Sequence, residues 1–315
     1  MSDIKVAIIG AGSMACEHIK AFTNISGVQV VGIQSRTLYK AQALAKEFEI
    51  PKVVTDLKNL YIETKADIVV VVVNIMSMLE VSREVFKYSW LCLFEKPVGL
   101  NYAESVMIHE LAVSHKAKCF VGLNRRHYSS TKTVLEDLQL NQEKRVVNVF
   151  DQEDPYIALH EDKQPTLVVK NWMYANSIHM IDYFRVLCRG KIESITPLVN
   201  WNPQSPSLVV AKIDFSSGDI GIYQAVWNSP GPWAVTVTTH AKRWEMRPLE
   251  QASYQMHGTR KIELVPKDEW DNAFKAGFRL QAEETIKAFK GLTHSLPTLE
   301  DSLETMSLIK AIYEI

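Results

Sequence analysis

No apolar run in this 315-residue sequence is long enough to cross a bilayer: the longest, Ile68 to Val73, falls far short of the roughly 20 residues a spanning helix needs. A basic, apolar leader is also missing, because Met1-Ser2-Asp3 leads directly into a strand-like segment. The expectation is a cytoplasmic protein without a membrane anchor. Cysteine is scarce, and Cys16, Cys92, Cys119 and Cys188 include no CxxC pair. They read as reduced, buried thiols of a reducing compartment. An excess of charge of either sign is absent too. The 35 basic and 36 acidic residues are interspersed, so no basic stripe exists to neutralise a phosphate backbone, and nucleic acid is not an expected partner.

What is present is ordinary in bulk and informative in order. Hydrophobic residues make up 47% and charged residues 23%, which supports a packed core and excludes widespread disorder. The length favours two domains. Over residues 1–122 short apolar runs alternate with amphipathic stretches of helical length. Strands are expected at Lys5–Ile9, Gln29–Gln34, Ile68–Val73, Leu91–Phe94 and Cys119–Gly122, and helices at Met14–Thr23, Tyr39–Phe48, Met78–Tyr88 and Tyr102–Ala117. Right-handed crossovers between them build a doubly wound parallel sheet.

The rhythm changes after Leu123. A helix to Leu140, a strand at Arg145–Asp151 and a polar surface loop at Gln152–Gln164 precede a helix at Asn171–Leu187. Strand-like runs then follow without intervening helices: Leu208–Phe215, Ile220–Trp227, Ala234–His240, Ser253–His257 and Lys261–Val265. Two closing helices, Asp271–Lys290 and Leu299–Glu314, complete a second domain over 123–315. The fold class is α/β, with a C-terminal α+β domain containing an open, mostly antiparallel mixed sheet. Alternating runs such as Tyr223–Trp227 and Trp233–Val237 carry more large apolar side chains than one helix layer would cover. That predicts a homodimer or homotetramer assembled through this sheet.

The strongest local motif is Gly10-Ala-Gly12-Ser-Met-Ala15, a GxGxxA between a strand and a helix. Gly10 permits the tight turn, Gly12 lets a pyrophosphate approach the backbone, and Ala15 allows close packing of helix on strand. About 25 residues after the first glycine, where an NAD site places a carboxylate on the ribose 2′-hydroxyl, the chain has Gln34-Ser35-Arg36-Thr37. A small hydroxyl followed by arginine suits a 2′-phosphate, so NADP(H) is expected over NAD(H); a solvated arginine opening a helix is the plainer alternative. Phe94-Glu95-Lys96-Pro97 closes the strand Leu91–Phe94 at the carboxyl edge where ligands collect, and proline there makes a cis peptide tolerable. The cofactor-contacting set is Gly10, Gly12, Ser13, Met14, Ala15, Ser35, Arg36, Asn74, Glu95, Lys96 and Pro97.

GAGSMA, Ser35-Arg36, EKPVGL, GLNRR and NSIHMID occur in an order and spacing that resembles the Gfo/Idh/MocA oxidoreductases over essentially the whole chain. The resemblance implies a Rossmann domain joined to an open-sheet α/β domain, and NAD(P)-dependent redox chemistry on sugars, sugar derivatives or related small polyols, nucleotide-linked keto sugars included. It also implies that Lys96 contacts substrate and nicotinamide, and that His179 transfers the proton. One departure stands out: where such proteins commonly have aspartate one turn before the histidine, this chain has Ala175, with Asn176 beside it.

Lys96, Arg126, Asn176 and His179 form the expected substrate-binding set. Arg126 lies in Asn124-Arg125-Arg126-His127, whose side chains could equally serve the ligands or a salt bridge between domains. Asp182 shares a helix face with His179 and reads as a packing or helix-orienting residue. His160-Glu161-Asp162 reads as solvated loop, because three consecutive residues cannot easily converge on one ion, and no metal is expected. A dinucleotide-binding regulator of the same fold, without turnover, is the alternative to an enzyme.

Overall fold

Ile4–Ile9 (β1) is apolar except for Lys5 and is buried from Val6 to Ile9, as a strand covered on both faces must be. The computed structural model describes residues 3–315, and β1 lies inside a six-stranded, all-parallel sheet. The other strands are Val28–Gln34 (β2), Val53–Val54 (β3), Ile68–Val71 (β4), Leu91–Glu95 (β5) and Lys118–Gly122 (β6), in the order β3-β2-β1-β4-β5-β6. From β1 the chain builds outward to β2 and β3, then crosses back to β4. That reversal opens a crevice at the carboxyl ends of β1 and β4.

The crossover helices are Ser13–Thr23 (α1), Leu38–Glu47 (α2), Leu57–Thr64 (α3), Met78–Val85 (α4) and Tyr102–Ser114 (α5). Asp56 and Asn101 accept from backbone N–H groups in the first turns of α3 and α5, caps contributing about 1 kcal/mol each. The short strand β3 and helix α3 were not anticipated from the sequence. Two residues offer no periodicity to detect.

Among the described residues two compact units emerge, one of residues 3–124 and 272–303, the other of 125–271 and 304–315. Sequence patterning places both closing helices in the second domain, whereas Phe278–Phe289 packs in the first unit. There Phe278, Ala282 and Ile286 join a cluster with Ala15, Ile19 and Phe22 of α1. The segment beyond it reaches the sheet edge, where Val121 N donates to the Pro297 carbonyl at 2.9 Å. The expected single helix Asp271–Lys290 is interrupted at Gly277, whose φ is +76°.

The second unit holds an eight-stranded mixed sheet. Its strands are Val146–Glu153 (β7), Ile192–Val199 (β8), Leu208–Phe215 (β9), Ile220–Trp227 (β10), Ala234–Thr238 (β11), Lys242–Met246 (β12), Ala252–Met256 (β13) and Ile262–Leu264 (β14). The order is β14-β13-β12-β11-β7-β10-β9-β8, and only β7 and β10 pair in parallel. On β7, β9 and β10 buried residues alternate with half-exposed ones, giving one closed and one open face.

This alternation corrects the argument from Tyr223 and Trp227. Both are buried on the closed face within the chain, while the open face presents Phe150, Ile222, Gln224 and Val226, each half-buried. The segment expected as a loop over 152–164 also differs. Residues 152 and 153 finish β7, and Pro155–His160 forms a short helix capped by the Asp154 carboxylate, with proline in its first turn. A second short helix covers Thr166–Lys170.

Candidate active site

The crevice of the first unit is shaped chiefly by what glycine omits. Gly10 ends β1 at φ +116°, and a Cβ there would stand 2.2 Å from the Val72 carbonyl oxygen. Only glycine fits. Gly12 caps α1 in an extended conformation, and a Cβ added to it would meet nothing within 4 Å. Its outer side is therefore free for a ligand to approach the backbone and the positive end of α1. Ala15 is fully buried beneath, whereas Ser13 is exposed and Met14 half-buried.

A cavity of about 600 Å³ begins at these glycines and is lined further on by Ser35, Arg36, Lys40 and Asn74. At the end of β2 the Gln34 side chain donates to the Thr55 carbonyl at 2.8 Å, and the Ser35 hydroxyl accepts from Thr37 N at 3.1 Å. The exposed Arg36 guanidinium donates to the Ser77 hydroxyl at 2.9 Å. Carboxylates enter the lining from α3 and α4 as Asp56, Glu80 and Glu84, not from the β2 end. Asp56 is committed to capping α3. Asn74 accepts from Met76 N and starts the turn leading into α4. The glycine turn, the open space above Gly12 and the cavity's volume together fit a dinucleotide.

Glu95 closes β5, and His18 of α1 meets its Oε1 at 2.7 Å; the His18 ring is buried against Phe278 at a centroid distance of 4.8 Å. Glu95 is thus directed toward α1. Lys96 is half-buried and its peptide to Pro97 is cis, as the motif permits.

In the second unit, Met173–Ser177 forms a π-helical turn that runs into the α-helix Ile178–Leu187, so His179 lies in the first α-turn. Such widened turns recur at functional sites. Arg126 Nε and Nη2 form a bidentate pair with Asp182, both at 2.7 Å, and Thr305 donates to the same carboxylate at 2.9 Å. Arg126, expected to bind substrate, thus has two of its nitrogens engaged within its own unit. Arg125 stacks over the Trp233 ring at 4.3 Å.

Sequence reasoning did not anticipate two acids on β7, Asp151 and Glu153, which are 1% and 0% exposed. Asn176 donates to Glu153 Oε2 at 2.8 Å and the Ser177 hydroxyl to Oε1 at 2.9 Å; Tyr223 donates to Asp151 at 2.7 Å. Burial pushes both carboxyls above the usual range, Glu153 well above it because the adjacent Asp151 charge adds to the effect. The only sequence signal was two acids at i and i+2 in a strand whose remaining inward positions are apolar. Among the described residues no group of three or more His, Cys, Asp and Glu side chains could hold a metal ion. His160, Glu161 and Asp162 lie at the end of a helix and beyond it. All four cysteines are free; Cys92 and Cys119 are buried, while Cys16 and Cys188 are only half-buried.

Comparison with known proteins extends this geometry. The chain is 21% identical to the 4-carboxy-2-hydroxymuconate-6-semialdehyde dehydrogenase of Sphingobium sp. over 239 residues, covering 73% of this chain and 74% of that one. Among solved structures, a dehydrogenase from Chromobacterium violaceum superposes with a TM-score of 0.82 at 15% identity, over 100% of this chain and 95% of that one. UDP-N-acetylglucosamine 3-dehydrogenase from Acidithiobacillus ferrooxidans gives 0.78 at 14% identity, over 100% and 98%. At these identities the structural matches show the fold alone. Residues 4–123 match the Gfo/Idh/MocA family model, described as an oxidoreductase family with an NAD-binding Rossmann fold.

Proposed function

We propose that this protein is an NADP(H)-dependent dehydrogenase or reductase that interconverts a carbinol and a carbonyl carbon on a sugar or sugar derivative. Keto sugars, free or carried on a nucleotide, fall within this class. The observation that carries the cofactor choice is the end of β2, where Ser35 and Arg36 line the cavity and the preceding side chain, Gln34, is turned to the Thr55 carbonyl. A guanidinium beside a small hydroxyl suits a 2′-phosphate. The substrate class rests on the resemblance of the EKPVGL, GLNRR and NSIHMID stretches to oxidoreductases acting on sugars and sugar derivatives.

Bound nicotinamide supplies or accepts the hydride. Gly10, Gly12, Ser13, Met14 and Ala15 would hold the pyrophosphate, and Asn74, Glu95, Lys96 and Pro97 would lie toward the nicotinamide half. Lys96 hydrogen-bonds the reacting oxygen and stabilises the negative charge developing there. His179 accepts the hydroxyl proton in oxidation and returns it in reduction, while Arg126 and Asn176 help to orient the substrate. The chain works in the cytoplasm as a homodimer or homotetramer joined through the open sheet face. No helix among the described residues is long and apolar enough to cross a membrane.

The test is a panel of sugars and nucleotide sugars mixed with NADP⁺ or NADPH and followed at the nicotinamide absorbance near 340 nm. Turnover of at least one member, faster with NADP(H) than with NAD(H), is the expected result. Tight cofactor binding with no turnover on any member would overturn the reading in favour of a dinucleotide-binding regulator.

A further inference from the structure

The π-helical turn before His179 carries no charged side chain of its own: it consists of Met173, Tyr174, Ala175, Asn176 and Ser177. Two of its polar groups, the Asn176 amide and the Ser177 hydroxyl, donate to the two oxygens of one carboxyl on another element, that of Glu153 on β7. The contact spans 23 and 24 residues of sequence, and Glu153 and Ser177 are fully buried. Behind Glu153 stands Asp151, held by the Tyr223 hydroxyl, which lies 3.0 Å from that of Tyr313. A buried acid needs every oxygen satisfied, and here the satisfaction comes from the turn that sets the direction of the catalytic helix.

We propose that Glu153, backed by Asp151, is a positioning residue that fixes the turn delivering His179. The inference rests on His179 being the proton-transfer group. A π turn has a register that can relax to α-helix, which would rotate everything after it. Two hydrogen bonds from adjacent residues to a single rigid carboxyl on a strand hold the wide register.

Two carboxyls this close and this buried do not both ionise at neutral pH, so the pair retains a proton. The charged and titratable groups facing it are Tyr223 from β10, Tyr313 from the last helix and Arg125; the delivered helix itself carries His179, Asp182, Tyr183 and Arg185, with Asp182 paired to Arg126. Both tyrosines are themselves pushed upward by burial and stay neutral over the working range. The sign follows. A carboxyl whose folded-state pKa lies above its unfolded value binds more proton in the folded protein, so it lowers stability as pH rises through and beyond the ordinary carboxylate range.

Two readouts on the full chain, neither needing substrate, test the proposal. Glu153→Gln keeps the acid's neutral shape, so its melting temperature relative to the parent should climb between pH 5 and pH 8. Histidine labelled at Cε1 with carbon-13 reports the His179 titration by NMR. Glu153→Ala should move its midpoint by at least about 0.5 unit, and Glu153→Gln by much less, because only the first removes both tethers. Should Glu153→Ala fail to fold, Ser177→Ala removes one tether and should move the midpoint in the same direction by a smaller amount. An unmoved His179 midpoint in Glu153→Ala, or in Ser177→Ala where that variant is used, overturns the positioning role. A parent-to-Gln melting difference flat with pH overturns the retained proton. Either failure leaves the hydride-transfer reading intact, which stands or falls on turnover.

Discussion

The two units build their sites from opposite materials. In the first, backbone and missing side chains do the shaping: Gly10 is pressed against the Val72 carbonyl, Gly12 leaves open space, and the helix terminus supplies the polarity. In the second, buried side chains do it, through the Arg126–Asp182 pair and the Glu153 contacts to Asn176 and Ser177. A backbone site tolerates change around it and fails when atoms are added. A side-chain site fails when atoms are removed.

The largest expected effects follow from the side chains assigned to chemistry. His179→Asn should lower turnover by about 10²–10⁴ and, in the oxidation direction, flatten the acidic limb of the pH–rate profile, because a base must be unprotonated to accept the alcohol proton. Lys96→Met should cost at least about a hundredfold, with cofactor affinity changed far less. Parental turnover in either variant would remove that residue from the mechanism.

The glycines give the sharpest contrast. Gly10→Ala should destabilise the first unit by about 3 kcal/mol or more, because a methyl group at positive φ would overlap a backbone oxygen. Gly12→Ala should leave the melting temperature nearly unchanged yet weaken dinucleotide binding about tenfold or more, since its φ is ordinary and the added methyl points into open space. Equal melting temperatures for the two variants would contradict the backbone account.

On the open face of the second sheet, replacing half-buried Ile222 and Val226 by arginine should convert an oligomer into a monomer of 35.8 kDa. Light scattering decides it, and a parent already at that mass would sink the assembly reading. The smallest effect belongs to Arg36→Ala, which should erase a preference for NADP(H) of about tenfold, or roughly 1.4 kcal/mol. Equal affinities in the parent would reduce Arg36 to a surface charge bonded to Ser77.

Legibility in the sequence tracks the same division. The glycine turn and the strands around it could be read because their causes lie within a few residues of each other. Strand β8 escaped because Pro197 and a polar alternation disguise it; proline is tolerated there because β8 is the sheet's edge. Strand β12, Lys-Arg-Trp-Glu-Met, hides only two buried side chains, Trp244 and Met246, between charged neighbours. Glu153 escaped for a different reason: an acid in a loop-like sequence gives no sign that its partners are an amide and a hydroxyl more than 20 residues on. The helix Phe278–Phe289 shows apolar periodicity, but periodicity does not say which surface will receive it.

That helix has a consequence for how the protein is made. Ala15, Ile19 and Phe22 of α1 are covered by residues near the other end of the chain, so the cofactor domain cannot close when its own first 124 residues leave the ribosome. At ordinary synthesis rates of roughly 5–20 residues per second, an apolar stripe stays uncovered for on the order of ten seconds while the second unit is translated. A nascent chain stalled before residue 272 should therefore hold the attention of chaperones that a chain released past residue 303 escapes.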